Sequence, residues 1–494
     1  MTVEPREFQT IAIDSLRREI LSGVRSVILV SPTGSGKTTI AAIMIRAAIA
    51  RGKRVLFLAH RLELIDQCSE RLSDIGVEHG VVMGSDPRYR PWLPVQVCSV
   101  PTLVRREKLP PADLIFIDEA HRAAAESYLK IMRRYEKAVF VGLTATPARL
   151  DGKGLGTLFQ SMVECPSVAE LTEMGYLVPS RVFGHPMQPD LTDVHKTAGD
   201  YKKDELATAV DKPKLIGSIL EHWLKLARDR QTVCFAVNIH HSQEIMNQFR
   251  AAGIACEHLD SDTDRKERKA ILRRFKSGET KVVTNVQILT EGYDNPATSC
   301  AILARPTLSL TLYLQMVGRV LRPFGQKSDA IILDHAGSVM QFGLPDDDRQ
   351  WSLDGSRNGR GRDAYDASLA VRMCPECWCA FKATEITCPA CGWMYVAKDR
   401  EIKVEAGELQ EITESPEAKP YVPKHWSDNP IRRHFQHEAV KLNKSHRWMF
   451  KMSELAERGD LYVPRDIFLQ WQAWERRKAG VIHIPESRAI EVAV

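Results

Sequence analysis

"SPTGSGKTTI", residues 31–40, follows the apolar run "SVILV" (26–30) and opens into "AAIMIRAAIA" (41–50). Strand, glycine-rich loop and helix come in the order that a phosphate-binding loop requires. Gly34 and Gly36, with Ser35 between them, let backbone N–H groups approach phosphate oxygens, and the helix behind points its positive end at them. The pattern predicts that Lys37 reaches the β- and γ-phosphates, that Thr38 holds Mg²⁺ and that Thr39 continues the wall of the site. Ser31 stands where the usual pattern has glycine, which leaves the phosphate-contacting positions untouched.

About 80 residues on, "LIFIDEAH" (114–121) ends an apolar strand in two acids. Asp118 is placed to bind Mg²⁺, directly or through water, and Glu119 to orient and activate an attacking water. A third stretch, "TLYLQMVGRVLRP" (311–323), spaces Gln315, Arg319 and Arg322 at i, i+4 and i+7, which predicts one shared helix face. Arginines projecting together suit the charge of a transferring phosphoryl group. "TNVQILTEGYDNP" (284–296) follows a strand and sets Gly292 and Asp294 in a loop at its C-terminal end, where nucleotide ligands sit.

These motifs lie in two series of apolar runs. The first is "SVILV", "VLFLA" (55–59), "VQVCSV" (95–100), "LIFI" (114–117) and "AVFVGL" (138–143). The second is "VCFAV" (233–237), "KVVTNV" (281–286), "CAILA" (300–304) and "AIILD" (330–334). Continuous apolar strands separated by helical stretches imply parallel sheets covered on both faces. Two α/β domains are therefore expected, over residues 1–175 and 216–345, joined by a connector at 176–215. A polar, glycine-rich linker (346–370), the cysteine cluster (371–397), an acidic linker (398–424) and a basic segment (425–494) with Trp426, Trp448, Trp471 and Trp474 follow. That last segment interleaves cations with aromatic residues and is expected to be helical with its aromatic residues buried, or else to bind phosphates and stack bases.

The chain has 494 residues and a net charge of only +5, which is compatible with nucleic acid but does not argue for it. No apolar run approaches the roughly 20 residues that cross a bilayer, and the N-terminus has no secretory pattern. The expected compartment is the cytoplasm, where thiols stay reduced.

Five of the eleven cysteines fall within 374–391. Cys374-x₂-Cys377 and Cys388-x₂-Cys391 form two knuckles that bring four sulfurs to one tetrahedral Zn²⁺, with no open position for catalysis. Cys379 breaks the symmetry and reads as a bystander. This zinc ribbon is expected to grip nucleic acid, DNA before RNA, or a partner protein, with a structural cap on the second α/β domain as the alternative.

Together the motifs resemble a superfamily 2 helicase of the DEAH-box type, nearest the branch that holds XPB-like helicases and the motor subunits of type I and III restriction enzymes. "SPTGSGKTT", "DEAH", "LTATP" (143–147), "TNVQILTEGYDNP" and "QMVGRVLRP" resemble that family's motifs I, II, III, V and VI. The resemblance implies two tandem RecA-like domains with ATP and Mg²⁺ in the cleft between them. It places Lys37, Thr38, Asp118 and Glu119 on one wall and Gly292, Asp294, Arg319 and Arg322 on the other. It implies that His121, Thr144 and Thr146 couple nucleotide state to domain closure, and that Gln9 reads adenine. Arg61 in "AHRLELIDQ" (59–67), with Ser99 and Thr102 in "SVPTL" (99–103), would face strand phosphates. DNA is the implied partner, with RNA and an ATP-switched, non-unwinding DNA binder as alternatives.

Overall fold

The computed structural model describes residues 4–478 except 148–153, 185–190, 192–193, 198–199, 203–204, 207–208, 210–212, 355–369, 397–428, 443–445 and 459–460. It divides into two compact units, residues 1–398 and 399–494.

In the first unit, β1 (Ser26–Val30), β2 (Val55–Ala59), β3 (Gly80–Val82), β4 (Val95–Ser99), β5 (Leu114–Asp118), β6 (Val139–Thr144) and β7 (Ser161–Glu164) form one sheet. Their order is β3-β4-β2-β5-β6-β1-β7 and every pairing is parallel. β1 and β2 are buried along their whole length, which is why they read as unbroken apolar runs. Helices α1 (Glu7–Leu21), α2 (Lys37–Ile49), α3 (Leu62–Asp74) and α4 (Val100–Arg105) flank the sheet. On α3 the buried residues Leu64, Ile65, Cys68 and Leu72 make one apolar stripe.

The second sheet contains β8 (Ser180–Gly184), then, after the small hairpin of β9 (Lys196–Thr197) and β10 (Asp200–Tyr201), strands β11 (Thr232–Phe235), β12 (Cys256–Leu259), β13 (Val282–Asn285), β14 (Cys300–Leu303) and β15 (Ala330–Asp334). It is completed by β16 (Val371–Met373) and β17 (Cys379–Lys382), in the order β12-β13-β11-β14-β15-β8-β17-β16.

Three expected boundaries differ from this architecture. The stretch 176–215 is not only a connector, because β8 within it pairs in parallel with β15. Its sequence, "SRVFG", opens on a polar and a charged residue and so does not read as a buried strand. The stretch 346–370 is not only a linker, because Leu353 returns to the first domain, where its carbonyl accepts from Gly156 N at 2.8 Å. The cysteine cluster is not a detached module. Its hairpin β16–β17 adds antiparallel to β8, with Cys379 opposite Phe183 and Ala380 opposite Val182.

In the second unit, helices Pro430–Lys441, His446–Glu457 and Arg465–Lys478 enclose Ile431, Phe435, Ala439, Met449 and Val463. Trp471 packs partly buried against them, as the helical reading expects. Trp426 and the acidic stretch 398–424 lie outside the described residues, as does the side chain of Trp448. Among the described residues, no helix is long and apolar enough to cross a membrane.

Candidate nucleotide and nucleic-acid site

The carboxyl ends of β1 and β5 face the second domain across a cavity of about 500 Å³. Gly34, Lys37, Thr38, Asp118, Glu119, Gly292, Asp294, Arg319 and Arg322 all line it, so the residues that the sequence assigns to opposite walls do meet. Gly34 and Gly36 have φ of +92° and +95°, where side-chain-bearing residues are strained. A Cβ at Gly36 would lie 2.6 Å from Gln9 Nε2, and one at Gly34 would lie 3.1 Å from Arg322 Cγ. The loop is thus an open cradle of backbone amides that tolerates no added side chain, and it fits a polyphosphate.

Inside that cradle, Lys37 Nζ donates to the Ser31 carbonyl at 3.0 Å, and burial lowers its pKa. Ser35 donates to the Pro32 carbonyl at 2.7 Å and lies 2.6 Å from Ser31 Oγ, which fixes the loop. Thr39 is buried at the start of α2. Gln9 is also buried, its Nε2 donating to the Ser35 carbonyl and its Oε1 accepting from Arg6 N. Each end of its amide makes one bond, which leaves a second N–H and a second lone pair for a further partner. Burial and the neighbouring Glu119 charge push Asp118 up to about 7, against the opposing pull of Lys37. Asp118 and Thr38 both line the cavity, and a carboxylate and a hydroxyl are the kind of oxygen donors that Mg²⁺ prefers.

Glu119 has φ +50°, an uncommon conformation for a residue with a side chain, and sits at the turn after β5. Its Oε2 accepts from Gln315 Nε2 of the second domain at 3.1 Å and lies 3.3 Å from His121 Nδ1. Burial holds His121 below its usual pKa. His121 Nδ1 is also 3.4 Å from Thr144 Oγ1, and Thr144 donates to the Thr146 carbonyl. Thr146 Oγ1 in turn lies 2.8 Å from Thr311 Oγ1 of the second domain. This chain of contacts joins the acid pair to the partner domain through the three residues expected to couple them.

Gln315, Arg319 and Arg322 do not share one helix. The helix Leu310–Val317 ends at Gly318, whose added Cβ would stand 2.3 Å from Thr33 Cβ of the phosphate loop. That close approach between domains leaves no room for a side chain at Gly318. Arg319 is buried and braces the preceding loop, donating to the carbonyls of Thr290 and Tyr293 at 2.8 Å each. Arg322 pairs with Asp294 and lies beside Gly34, and burial lowers it to about 10.

The residues expected to face a nucleic-acid strand are partly committed elsewhere. Arg61 donates to the Gln287 carbonyl at 2.6 Å, with Nε 3.1 Å from Glu291. Ser99 is buried at the start of α4, and Thr102 Oγ1 accepts from Gly84 N at 3.1 Å. Glu291 was not singled out from sequence. It is buried and gathers His60, Arg61 and Arg122 from the first domain at 3.0, 3.1 and 2.7 Å. Burial would raise this carboxyl, but the contact with His60 and the charges of Arg61 and Arg122 prevail and hold it well below the usual range. The only sequence signal was an acid next to Gly292 in the loop after β13. Arg6 is a second omission, lying 4.6 Å over the Tyr176 ring at the rim of the cavity.

The sulfurs of Cys374, Cys377, Cys388 and Cys391 lie within 4.8 Å of one another, with Cys374–Cys391 and Cys377–Cys388 both at 3.6 Å. A tetrahedron with 2.3 Å metal–sulfur bonds has edges of about 3.8 Å, so the four thiols fit zinc. Burial opposes ionisation at Cys388, but the backbone amides of Ala390 and Cys391 outweigh it and lower this thiol to about 7. Cys379 lies outside this set of four, buried on β17 among the core of the second domain with its thiol beside Cys388.

Residues 2–149 match the family described as "Type III restriction enzyme, res subunit", and residues 211–323 match "Helicase conserved C-terminal domain". A 51.5 kDa protein of a Lactococcus phage (isolate 7-9) is 30% identical over 79% of this chain and 82% of its own length. The putative ATP-dependent helicase IRC3 of Saccharomyces cerevisiae is 31% identical over 67% of this chain, which spans only about half of the yeast protein (51%). A fragment of a putative type I restriction enzyme HsdR subunit from Vibrio vulnificus YJ016 superposes with a TM-score of 0.56 at 25% identity, over 69% of this chain and 66% of that one.

Proposed function

Because this chain belongs to the superfamily 2 helicases, in the branch of the restriction motors, and is therefore a nucleic-acid-dependent ATPase, we propose that it is a motor that hydrolyses ATP between its two RecA-like domains to move on or unwind DNA. The observation that carries the proposal is the bond between Gln315 and Glu119, with Arg322 beside Gly34: the second domain completes a site that the first domain only begins. DNA is favoured over RNA by the forms "TATP" and "TEGYD", which resemble the DNA-acting branch, and by the restriction-enzyme relatives.

In this reading the amides around Gly34–Gly36 and the Lys37 ammonium bind the phosphates, and Thr38 and Asp118 hold Mg²⁺. The ion supplies neutralisation of the phosphate oxygens when bound. Glu119, held by Gln315, orients a water in line with the terminal phosphate and accepts its proton. Arg322 crosses from the second domain to meet charge that develops on the transferring group. Cys374, Cys377, Cys388 and Cys391 hold a structural Zn²⁺.

Steady-state ATPase measured against duplex, forked and single-stranded DNA and RNA tests the assignment. Stimulation by DNA supports it, and stimulation by RNA alone overturns it. A fluorescent strand-displacement assay beside a triplex-displacement assay then separates unwinding from translocation.

A further inference from the structure

Outside the motifs, the first domain carries a basic and aromatic loop, "GSDPRYRPWLP" (84–94). Trp92 is 69% exposed and Tyr89 40%, yet the loop that presents them is fixed at every turn. Buried Gln96 on β4 donates its amide to the carbonyls of Arg90 and Leu93 at 2.7 and 2.9 Å. Gly80 on β3 leaves room for this, since a Cβ there would stand 2.4 Å from Gln96 Oε1 and 2.8 Å from the Arg90 carbonyl. Arg88 grips both oxygens of Asp86 at 2.9 Å and reaches Asp66 at 2.7 Å. Three prolines, Pro87, Pro91 and Pro94, restrict the loop further. Rings held this way in water lose little freedom when something stacks on them.

The loop runs alongside α4. Gly84 N donates to Thr102 Oγ1 at one end, and Arg106 Nη1 donates to Tyr89 Oη at 3.1 Å at the other. Thr102 is the residue expected to face a strand phosphate, so the loop continues outward from that position. Around it the cations Arg90, Arg105, Lys108 and Arg134 are exposed. The guanidinium of Arg90 lies 5.9 Å from the Trp92 ring, and that of Arg106 4.7 Å from the Tyr89 ring. Cations interleaved with open rings are what a single strand requires: phosphates are neutralised and bases stack without regard to sequence.

We propose that residues 84–94 and the end of α4 form a further contact for single-stranded DNA, with Tyr89 and Trp92 as stacking platforms and Arg90 and Arg106 on phosphates. This rests on the reading of DNA as the substrate. The loop stands outside the nucleotide cavity, so it acts on strand grip and not on hydrolysis itself.

The test uses the full chain and a fluorescein-labelled oligo-dT, with anisotropy followed over a salt series. Trp92→Ala should weaken binding about tenfold or more with an unchanged salt slope, since stacking carries no counterion release. Arg90→Ala should weaken binding and flatten the slope of log K against log salt by about 0.7, one single-strand phosphate. Both substitutions are at exposed positions, and ATPase without DNA should stay at the wild-type level as the check on folding. Strands carrying 5-iodouracil should crosslink to Tyr89 or Trp92. If the wild-type chain binds DNA and both variants bind it with the same affinity and slope, the loop proposal is overturned while the DNA reading stands. If the wild-type chain neither binds DNA nor is stimulated by it, the DNA reading fails and takes this proposal with it.

Discussion

Gln315 Nε2 and Glu119 Oε2 lie 3.1 Å apart across the cleft, so a side chain of the second domain orients a carboxylate of the first. The position of that carboxylate therefore depends on how the two domains meet. Lys37 differs in kind, because it belongs wholly to the phosphate loop and bonds the Ser31 carbonyl. Lys37→Ala should lose ATP binding together with turnover. Glu119→Gln should lose turnover but keep ATP, and should hold the closed form on DNA. Equilibrium binding of a fluorescent ATP analogue checks this, and equal loss of binding in both variants would remove the distinction.

Arg322 sits beside Gly34 and is paired with Asp294. A cation that serves the transition state from the opposite domain contributes little to ground-state affinity. Arg322→Ala should keep ATP affinity within about tenfold and lower turnover by about 10²-fold or more. Turnover at the wild-type level in this variant would take Arg322 out of the site.

What the sequence made legible follows from burial. β1, β2, β4, β5, β6 and β15 are buried strands of parallel sheets and read as apolar runs. β8 and β17 were missed because "SRVFG" and "CAFK" are short and end on charged or small residues, and their place in the sheet is set by pairing partners far along the chain. The phosphate loop and the acid pair were legible because spacing along one strand and one turn fixes them. The split between Gln315 and the two arginines was not, because the residues after Gly318 are as compatible with a helix as those before it. Neither was the commitment of Arg61 to Glu291, which depends on how the two domains meet.

Glu291 makes that meeting depend on pH. Its carboxyl is held below the usual range by His60, Arg61 and Arg122, against the opposing effect of burial. Its folded-state pKa thus lies under its unfolded value, so its contribution is complete above the usual carboxylate range and is lost as pH falls below it. The thermal midpoint of the wild-type chain should fall steeply on acidification below about pH 5. Glu291→Gln should be less stable near neutrality, by less than the ~3–5 kcal/mol of a fully buried pair because Arg61 and Arg122 reach water, and should show a shallower acid fall. Parallel pH profiles of the two proteins would discount the cluster.

The ribbon supplies the last expectation. β17 pairs with β8, so the hairpin closes the second domain's sheet on that side. Phe381 and Cys379 are buried in that domain's core, and the Trp378 carbonyl accepts from Gly184 N at 3.1 Å. A metal that holds Cys374, Cys377, Cys388 and Cys391 together therefore also holds two strands on the motor. An independent grip would let hydrolysis continue without it, whereas a sheet edge would not. Elemental analysis should find about one zinc per chain, as one four-thiolate site requires. Chelation, or replacing Cys374 and Cys388 together by Ser, should release it, expose β8 and lower both the thermal midpoint and the ATPase rate without DNA. If the metal leaves and that basal rate persists, with only the DNA concentration needed for stimulation rising, the ribbon is a grip after all and its strands do not support the motor.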